Sequence, residues 1–379
     1  MERSGTTPPG ALRAQDQLAG LARIARSDGP FASVYLGVSP DAVDAAHRLD
    51  VRWREARQDL ERQGAPAAVI EAIAEVVERD DHRGGATLAV LADESGRRLV
   101  SELPNPPKRD VVAWAPLPRL GPLVEWRQAE LPHVVVLIDR SGADVFGVVG
   151  ETEAVHEDVQ GDSAPIEKNA PGGWSQKRYQ TRAESSWSEN AADVARVVEE
   201  TCARIDAKLV VVAGDVRAVE LLRKSLPSRV DELVTVIDGS RHADGSEDAV
   251  AEDTVRAVAT VVASETATLL AKFREELGQH DRAADGPGPV LEALARGQVE
   301  VLLVHDDPDD NRTAWFGPDP LHVGARRDVV EAMGVDAPCE GRLVDVLLRA
   351  ALGSGAGIRI VPDSRQLDGR VGAILRWSD

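Results

Sequence analysis

The chain has 379 residues, 43% of them hydrophobic, and a formal net charge of -20 from 44 basic and 64 acidic residues. That length exceeds one ordinary core and predicts two or three domains, and the apolar content excludes a wholly disordered chain. The charge excludes a generic, whole-surface affinity for nucleic acid, so any RNA contact has to come from a local basic patch. No apolar run approaches the roughly 20 residues that span a bilayer. The start MERSGTTPPG lacks the basic region and apolar stretch of a secretory signal. The expectation is no membrane and a cytoplasmic setting. Cys202 and Cys339 form no CxxC pair and fit a reducing compartment.

Taken in chain order, a first segment covers 1–130. Leu12–Ala25 has helical spacing of Leu12, Leu18, Leu21 and Ile24, and Phe31–Val38 reads as a strand. Arg48–Arg79 reads as helix, broken near Gly64-Ala65-Pro66. Ala86–Leu91 and Arg98–Glu102 read as strands joined by a turn at Asp93-Glu94-Ser95-Gly96. Six prolines between Pro104 and Pro122 read as the exit from this domain. In the second segment, 131–284, Val134–Asp139 and Asp144–Val149 make a hairpin. A polar loop runs from Gly161 to Gly173, and a helix follows to Ile205 with Val194, Val197, Val198, Cys202 and Ile205 on one face. Lys208–Ala213 is a buried-type strand ending in Gly214-Asp215. A helix (Val216–Leu226), a strand (Leu233–Ile237) and a helix (Asp253–Leu277) come next, the last with Val255, Val258, Val261, Val262, Leu269 and Phe273 inward. This alternation predicts an α/β domain. Asp285-Gly286-Pro287-Gly288-Pro289 reads as a linker to a third segment, 285–379. That segment has helices at Val290–Arg296 and Leu343–Ala351 and strands at Val299–Val304, Gly357–Val361 and Val371–Trp377.

The stretch richest in chemistry is Gly172-Gly173-Trp174-Ser175-Gln176-Lys177-Arg178-Tyr179-Gln180-Thr181-Arg182. Paired glycines let a backbone take positive φ and approach another surface closely. Lys168, Lys177, Arg178 and Arg182 against the single Glu167 make the run from 167 to 182 about +3 in a chain of -20. Lys177, Arg178 and Arg182 fall at helix-compatible spacing. Aromatic residues are 3% of the chain, yet Trp174, Tyr179 and Trp187 gather here. Cations beside aromatics are what phosphate pairing and base stacking require. The plainer alternative is a solvated loop with a helix behind it and Tyr179 and Trp187 in a core.

This stretch resembles the GGQ loop of the archaeal and eukaryotic release factors, which continues roughly as GGQSAQRFERLR. The Gly-Gly, Ser175 and the Arg178-Tyr179 pair match in register, and Arg182 falls between the family's two later arginines. The hairpin before the loop and the strand-helix succession after it resemble the family's middle domain. The ending Gly369-Arg370-Val371-Gly372-Ala373-Ile374-Leu375-Arg376 resembles its small last domain. The chain is thus similar to the bacterial relatives of class-one release factors and Pelota, above all the actinobacterial branch of the Balon-like ribosome hibernation factors. The resemblance implies a three-domain α/β (α+β) protein: a decoding-site-like first domain, an RNase H-like middle domain carrying the Gly-Gly loop, and an α/β/α ribosomal-protein-like last domain. It implies binding to ribosomal RNA in the A site and toward the peptidyl-transferase centre through Gly172, Gly173, Trp174, Ser175, Lys177, Arg178, Tyr179 and Arg182. It further implies a partner among the translational GTPases such as elongation factor Tu.

Two departures shape the expected activity. Trp174 stands where the family has its water-placing glutamine, and an indole has one donor and no acceptor. Neither an NIKS nor a YxCxxxF stop-codon element occurs in the first domain. The expectation is a stress or hibernation factor without stop-codon reading. The alternative is a peptidyl-tRNA hydrolase in ribosome rescue, with Gln176 as its catalytic residue. Asp139, Asp215 and Asp238 at strand ends are formal candidates for a two-metal nuclease, but strand-end aspartates are ordinary turn chemistry. His305–Asn311 reads as a solvated acidic loop without calcium-loop spacing. No GxxxxGK[ST] occurs, and no cofactor or metal is expected.

Overall fold

The computed structural model describes residues 12–13, 19–26, 29–38, 45–79, 86–103, 105–107, 109–150, 152–160, 173–241, 247–279 and 281–378, with side chains from 20, 47, 154 and 188 onward in the four stretches that begin at 19, 45, 152 and 173, and with backbone only at 12, 13 and 364. Two compact units form. One combines 1–128 with 266–379, and the other is 129–265.

The first part of the larger unit contains β1 (Leu12–Arg13), α1 (Ala19–Ala25), β2 (Phe31–Gly37), α2 (Ala45–Arg62), α3 (Ala67–Val77), β3 (Thr87–Asp93), β4 (Arg98–Leu103), β5 (Val111–Ala115) and α4 (Gly121–Ala129). The helix break expected at 64–66 is present: Gly64 has φ 83° and Pro66 precedes α3. Four strands make an antiparallel sheet in the order β4-β3-β2-β5. The two-residue period sends Ala32, Val34, Leu36, Leu88 and Val90 to the face covered by α2 and α3. Phe31, Tyr35, Ala89 and Leu91 go to the opposite face.

Two expectations need correction here. Leu12–Ala25 is not one helix, because Leu12 and Arg13 pair with a strand near the other end of the chain and only Ala19–Ala25 is helical. The proline-rich stretch is not a bare exit: it holds β5, whose pairing with β2 places it inside the sheet, and the start of α4.

The middle unit contains β6 (His133–Ile138), β7 (Gly142–Val149), β8 (Thr152–Gln160), α5 (Gly173–Ile205), β9 (Leu209–Gly214), α6 (Val216–Ser225), α7 (Ser228–Asp231), β10 (Val234–Val236) and the first part of α8 (Glu247–Gly278). The sheet order is β10-β9-β6-β7-β8. β6, β9 and β10 are parallel, and β7 and β8 are added antiparallel. Counted within the unit this is 3-2-1-4-5 with the second strand reversed, the RNase H-like arrangement expected for this segment. Val194, Ala195 and Val198 of α5 and Val219 and Leu222 of α6 cover one face, and Ala257, Val258 and Val261 of α8 cover part of the other. Val255 is 70% exposed, contrary to its expected inward place. Its neighbours Thr254 and Ala257 take the buried stripe instead.

The last part of the larger unit contains β11 (Ala283–Asp285), α9 (Pro287–Ala295), β12 (Val299–Val304), β13 (Thr313–Phe316), β14 (Val323–Gly324), α10 (Arg327–Glu331), β15 (Cys339–Arg342), α11 (Leu343–Ser354), β16 (Gly357–Ile360) and β17 (Val371–Leu375). Its main sheet runs β1-β16-β12-β17-β11. Along β12, Leu302 and Val304 face α9 and α11, whereas Val301 and Leu303 face Leu269, Leu270 and Phe273 of α8. Helices therefore lie on both sides, the α/β/α layering expected. The glycine-proline run at 285–289 is no linker. Gly286 at φ 91° turns the chain from β11 straight into α9, and Pro287 takes the first helical position. α8 is long and apolar enough to cross a membrane by length and composition, and within this fold its buried residues serve the two sheets just described.

Gly214 shows why one glycine is required. Its φ is 142°, and a β-carbon there would lie 1.8 Å from the carbonyl oxygen of Ile138. Gly214→Ala is expected to destabilise the middle unit by about 2–3 kcal/mol. Gly288→Ala, with open space around it, should stay within about 1 kcal/mol of the parent. Urea unfolding midpoints of the two variants check both.

Candidate functional site

The Gly-Gly stretch opens the longest helix of the middle unit. Gly172 lies outside the described residues. Gly173 is the first residue of α5, so the helix expected to follow Gly173 begins with that residue. Trp174, Ser175, Gln176, Lys177, Arg178, Tyr179 and Arg182 occupy its first three turns, and their side chains lie outside the described residues. The helical backbone fixes their angular positions. Positions 174, 178 and 182 follow one stripe at i, i+4 and i+8, with 177 beside it. Position 176 lies about 160° around the axis from both 174 and 178, at about 100° per residue. The described packing of α5 begins at Ala191, so roughly 25 Å of helix lies between it and Gly173 at about 1.5 Å per residue.

The base of α5 is anchored at the C-terminal edge of the parallel strands. Asn190 Nδ2 donates to the Arg140 carbonyl at 3.4 Å. Asp139 closes the β6–β7 turn by accepting from the amides of Ser141 (2.7 Å) and Gly142 (3.0 Å) and from the Ser141 hydroxyl (2.6 Å). Asp215 caps α6 through the amides of Arg217 and Ala218 and pairs with Arg140 at 3.1 Å. Asp238 is exposed. Each candidate nuclease carboxylate thus has a turn or capping role or stands apart, and no group of three metal-ligating side chains occurs among the described residues.

Beside this edge lies a cluster that sequence reasoning missed. The Arg241 guanidinium is 14% exposed. It donates to Asp144 (2.9 Å) and Asp158 (2.8 Å) and stands 3.6 Å from Asp139. One side chain from the loop after β10 thereby ties the ends of β6, β7 and β8. No pattern in Gly239-Ser240-Arg241 signals this role, which depends on strands far apart in sequence. Burial works against ionisation of Asp139, but the Ser141 hydroxyl and amide and the Arg241 charge outweigh it and hold the carboxyl below its usual range. A depressed carboxylate stabilises the fold above the ordinary carboxylate range and loses that contribution as pH falls through it.

The acidic loop His305–Asn311 is also not the solvated loop expected. Asp306 meets Arg342 at 2.6 Å, Asp307 meets Arg370 at 2.6 Å, and Asp310, 7% exposed, is held by Arg312. Of the two cysteines, Cys202 is buried and its thiol is pushed up to about 11 by desolvation, whereas Cys339 is exposed.

Arg241→Met is expected to cost about 1–2 kcal/mol at neutral pH, because it leaves half-buried carboxylates without their shared donor. The difference from the parent should shrink as pH drops below about 4, where the aspartates protonate. Thermal melts of both proteins across pH 3–7 measure it.

Residues 132–279 match the model of the bacterial archaeo-eukaryotic release factor family 2. The chain is 28% identical over 361 residues to the uncharacterized protein Rv2629 of Mycobacterium tuberculosis (strain ATCC 25618 / H37Rv), covering 93% of this chain and 94% of that protein. Among solved structures, the chain is similar to archaeal Pelota in a model of ribosome-bound Pelota and ABCE1. The identity there is 16%, with 100% of this chain and 99% of that chain covered and a TM-score of 0.42. It is also similar to the archaeal translation termination factor aRF1 at 15% identity, covering 97% and 99% of the two chains with a TM-score of 0.27. At scores below 0.5 the fold stands on the strand order described above.

Proposed function

We propose that this release-factor- and Pelota-like chain, with its family match over residues 132–279, is a ribosome-binding translation factor. It occupies the vacant A site under stress, with no stop-codon reading. The first module sits near the decoding centre, and the start of α5 reaches toward the peptidyl-transferase centre. Lys177, Arg178 and Arg182 pair with ribosomal RNA phosphates while Gly172, Gly173, Trp174, Ser175 and Tyr179 contact RNA closely. A translational GTPase of the elongation factor Tu class is its delivery partner.

The observation that carries this reading is the cationic run at the head of a 33-residue helix, inside the family-matched segment of a chain of net charge -20. Phosphate contacts are the term that survives such an unfavourable overall charge, because each releases counterions locally. A second reading, peptidyl-tRNA hydrolysis, rests on the Gly173-Trp174-Ser175-Gln176 spacing at the head of α5. There Gln176 places the water that attacks the ester.

Ribosome pelleting tests the first reading. Arg178→Glu is expected to weaken co-sedimentation roughly tenfold or more, and binding should fall steeply as monovalent salt rises from about 50 to about 200 mM. Arg196→Glu, at an exposed position of the same helix that pairs with Glu200, should pellet like the parent. Equal pelleting of Arg178→Glu and parent would sink the proposal. For the second reading, release of nascent chain from peptidyl-tRNA should appear with the parent and vanish with Gln176→Ala. No release by the parent removes it.

A further inference from the structure

We infer that the first and last thirds of the chain form one obligate body, locked by a buried cluster of charges around Asp345, so that neither moves or unfolds without the other. The inference is independent of the function proposed above.

The charges that make the lock come from both thirds. Asp345, on α11, is 3% exposed. It is held by Arg119 from the first third at 2.9 Å and by Arg342 from the last third at 3.4 Å. Arg342, itself 9% exposed, also reaches Asp306 at 2.6 Å. Asp306 in turn lies against the start of α4 in the first third. A β-carbon on Gly121 would come 1.7 Å from its carboxylate oxygen, so a larger residue there would displace the carboxylate. There the carboxylate lies at the positive end of the helix. The Arg119 backbone is gripped from its own side, its amide donating to Ser33 Oγ and its carbonyl accepting from the Tyr35 hydroxyl. Ser33 and Tyr35 are both buried. Breaking the two thirds apart takes the Arg119 guanidinium from Asp345 and leaves that buried carboxylate its longer contact to Arg342, and a buried charge that loses its partner is strongly destabilising.

Independent contacts run along the same seam. The Gln128 side-chain amide donates to the carbonyl of Ile360 at 2.9 Å and accepts from its amide at 2.8 Å, as a neighbouring strand would. β1 pairs with β16, and Arg26 donates to the Gly353 carbonyl. Under these polar ties lies one continuous apolar cluster that includes Phe31, Tyr35 and Leu91 on one side and Leu343, Leu347 and Leu348 on the other.

Hydrogen exchange on the full chain tests the inference, because the slowest amides report the unfolding of the whole cooperative unit. Ile73→Val lies in the core between α2, α3 and the first sheet, away from the seam. It is expected to speed exchange roughly three- to tenfold in the slowest amides of 87–93. The same factor should appear in 299–304 and 343–352. The reverse variant, Val301→Ala on β12, should likewise reach 87–93. Either variant acting only on its own side overturns the inference. Combining Arg119→Met with Gln128→Ala should cut the transmitted factor while both sides keep their own protection. If transmission is undiminished in that background, the charge cluster is not the lock.

Discussion

Everything in the larger unit depends on a helix without a solvent face. All residues of α11 from Leu343 to Leu352 are buried, although an ordinary surface helix keeps an exposed stripe. Its own third covers much of it through the main sheet, α9 and β13, and α1 of the first third packs on it as well, in one apolar cluster that includes Phe31, Tyr35 and Leu91. Exposing a single fully buried leucine costs about 1.5–3 kcal/mol, against a total stability of about 5–15 kcal/mol for a domain. A last third standing alone would expose several such side chains. The same helix carries Asp345 and Arg349, both 3% exposed, so it must bring polar partners along with its apolar ones. Burial pushes the Asp345 carboxyl up to about 7 against the pull of Arg119 and Arg342. The site is therefore held by geometry and packing as much as by charge.

The second constraint is where the cations go. In the middle unit, Arg140, Arg223, Arg229 and Arg241 each meet a carboxylate, on Asp215, Asp231, Glu199 and Asp144 respectively. Guanidiniums spent in this way shape the sheet edges and helix ends and offer little net attraction to a phosphate. Lys177, Arg178 and Arg182 stand in a run whose only acidic residue between 167 and 182 is Glu167. An RNA-facing role is therefore read more reasonably from that run than from the total number of basic residues.

Much of the architecture is legible in the sequence because period and turn chemistry are local. The hairpin of β6 and β7, the strand into Gly214-Asp215, and the helix break at Gly64 each follow from residues within a few positions. What stays hidden is whatever tertiary pairing creates. β1 is two residues long and exists only through its pairing with β16. β8, with Glu153, Glu157 and Asp158, has no strand signal legible in the sequence, since an edge strand buries little. β5 hides among prolines, which sit on either side of it and not within. Asp306 and Asp307 read as solvated because their partners Arg342 and Arg370 lie far along the chain. At the candidate site, the glycines, cations and aromatics are legible as composition, whereas the Arg241 tie that squares the sheet edge beneath them is not.

The helical onset at Gly173 sets the two functional readings against each other. Positions 174, 177, 178 and 182 share one side of α5, while 176 lies on the far side. A helix laid on RNA through Arg178 and Arg182 turns position 176 away from the same surface. Hydrolysis through Gln176 therefore requires either that the first turn unwinds on binding or that a second wall of the site reaches round to meet it. Occupancy needs neither. Unwinding one turn gives up the few hydrogen bonds that its amides and carbonyls make and returns backbone entropy to the released residues, so the change is small enough for a binding partner to drive. What separates the readings is thus the conformation of four or five residues at the end of one helix, and not the fold that carries them.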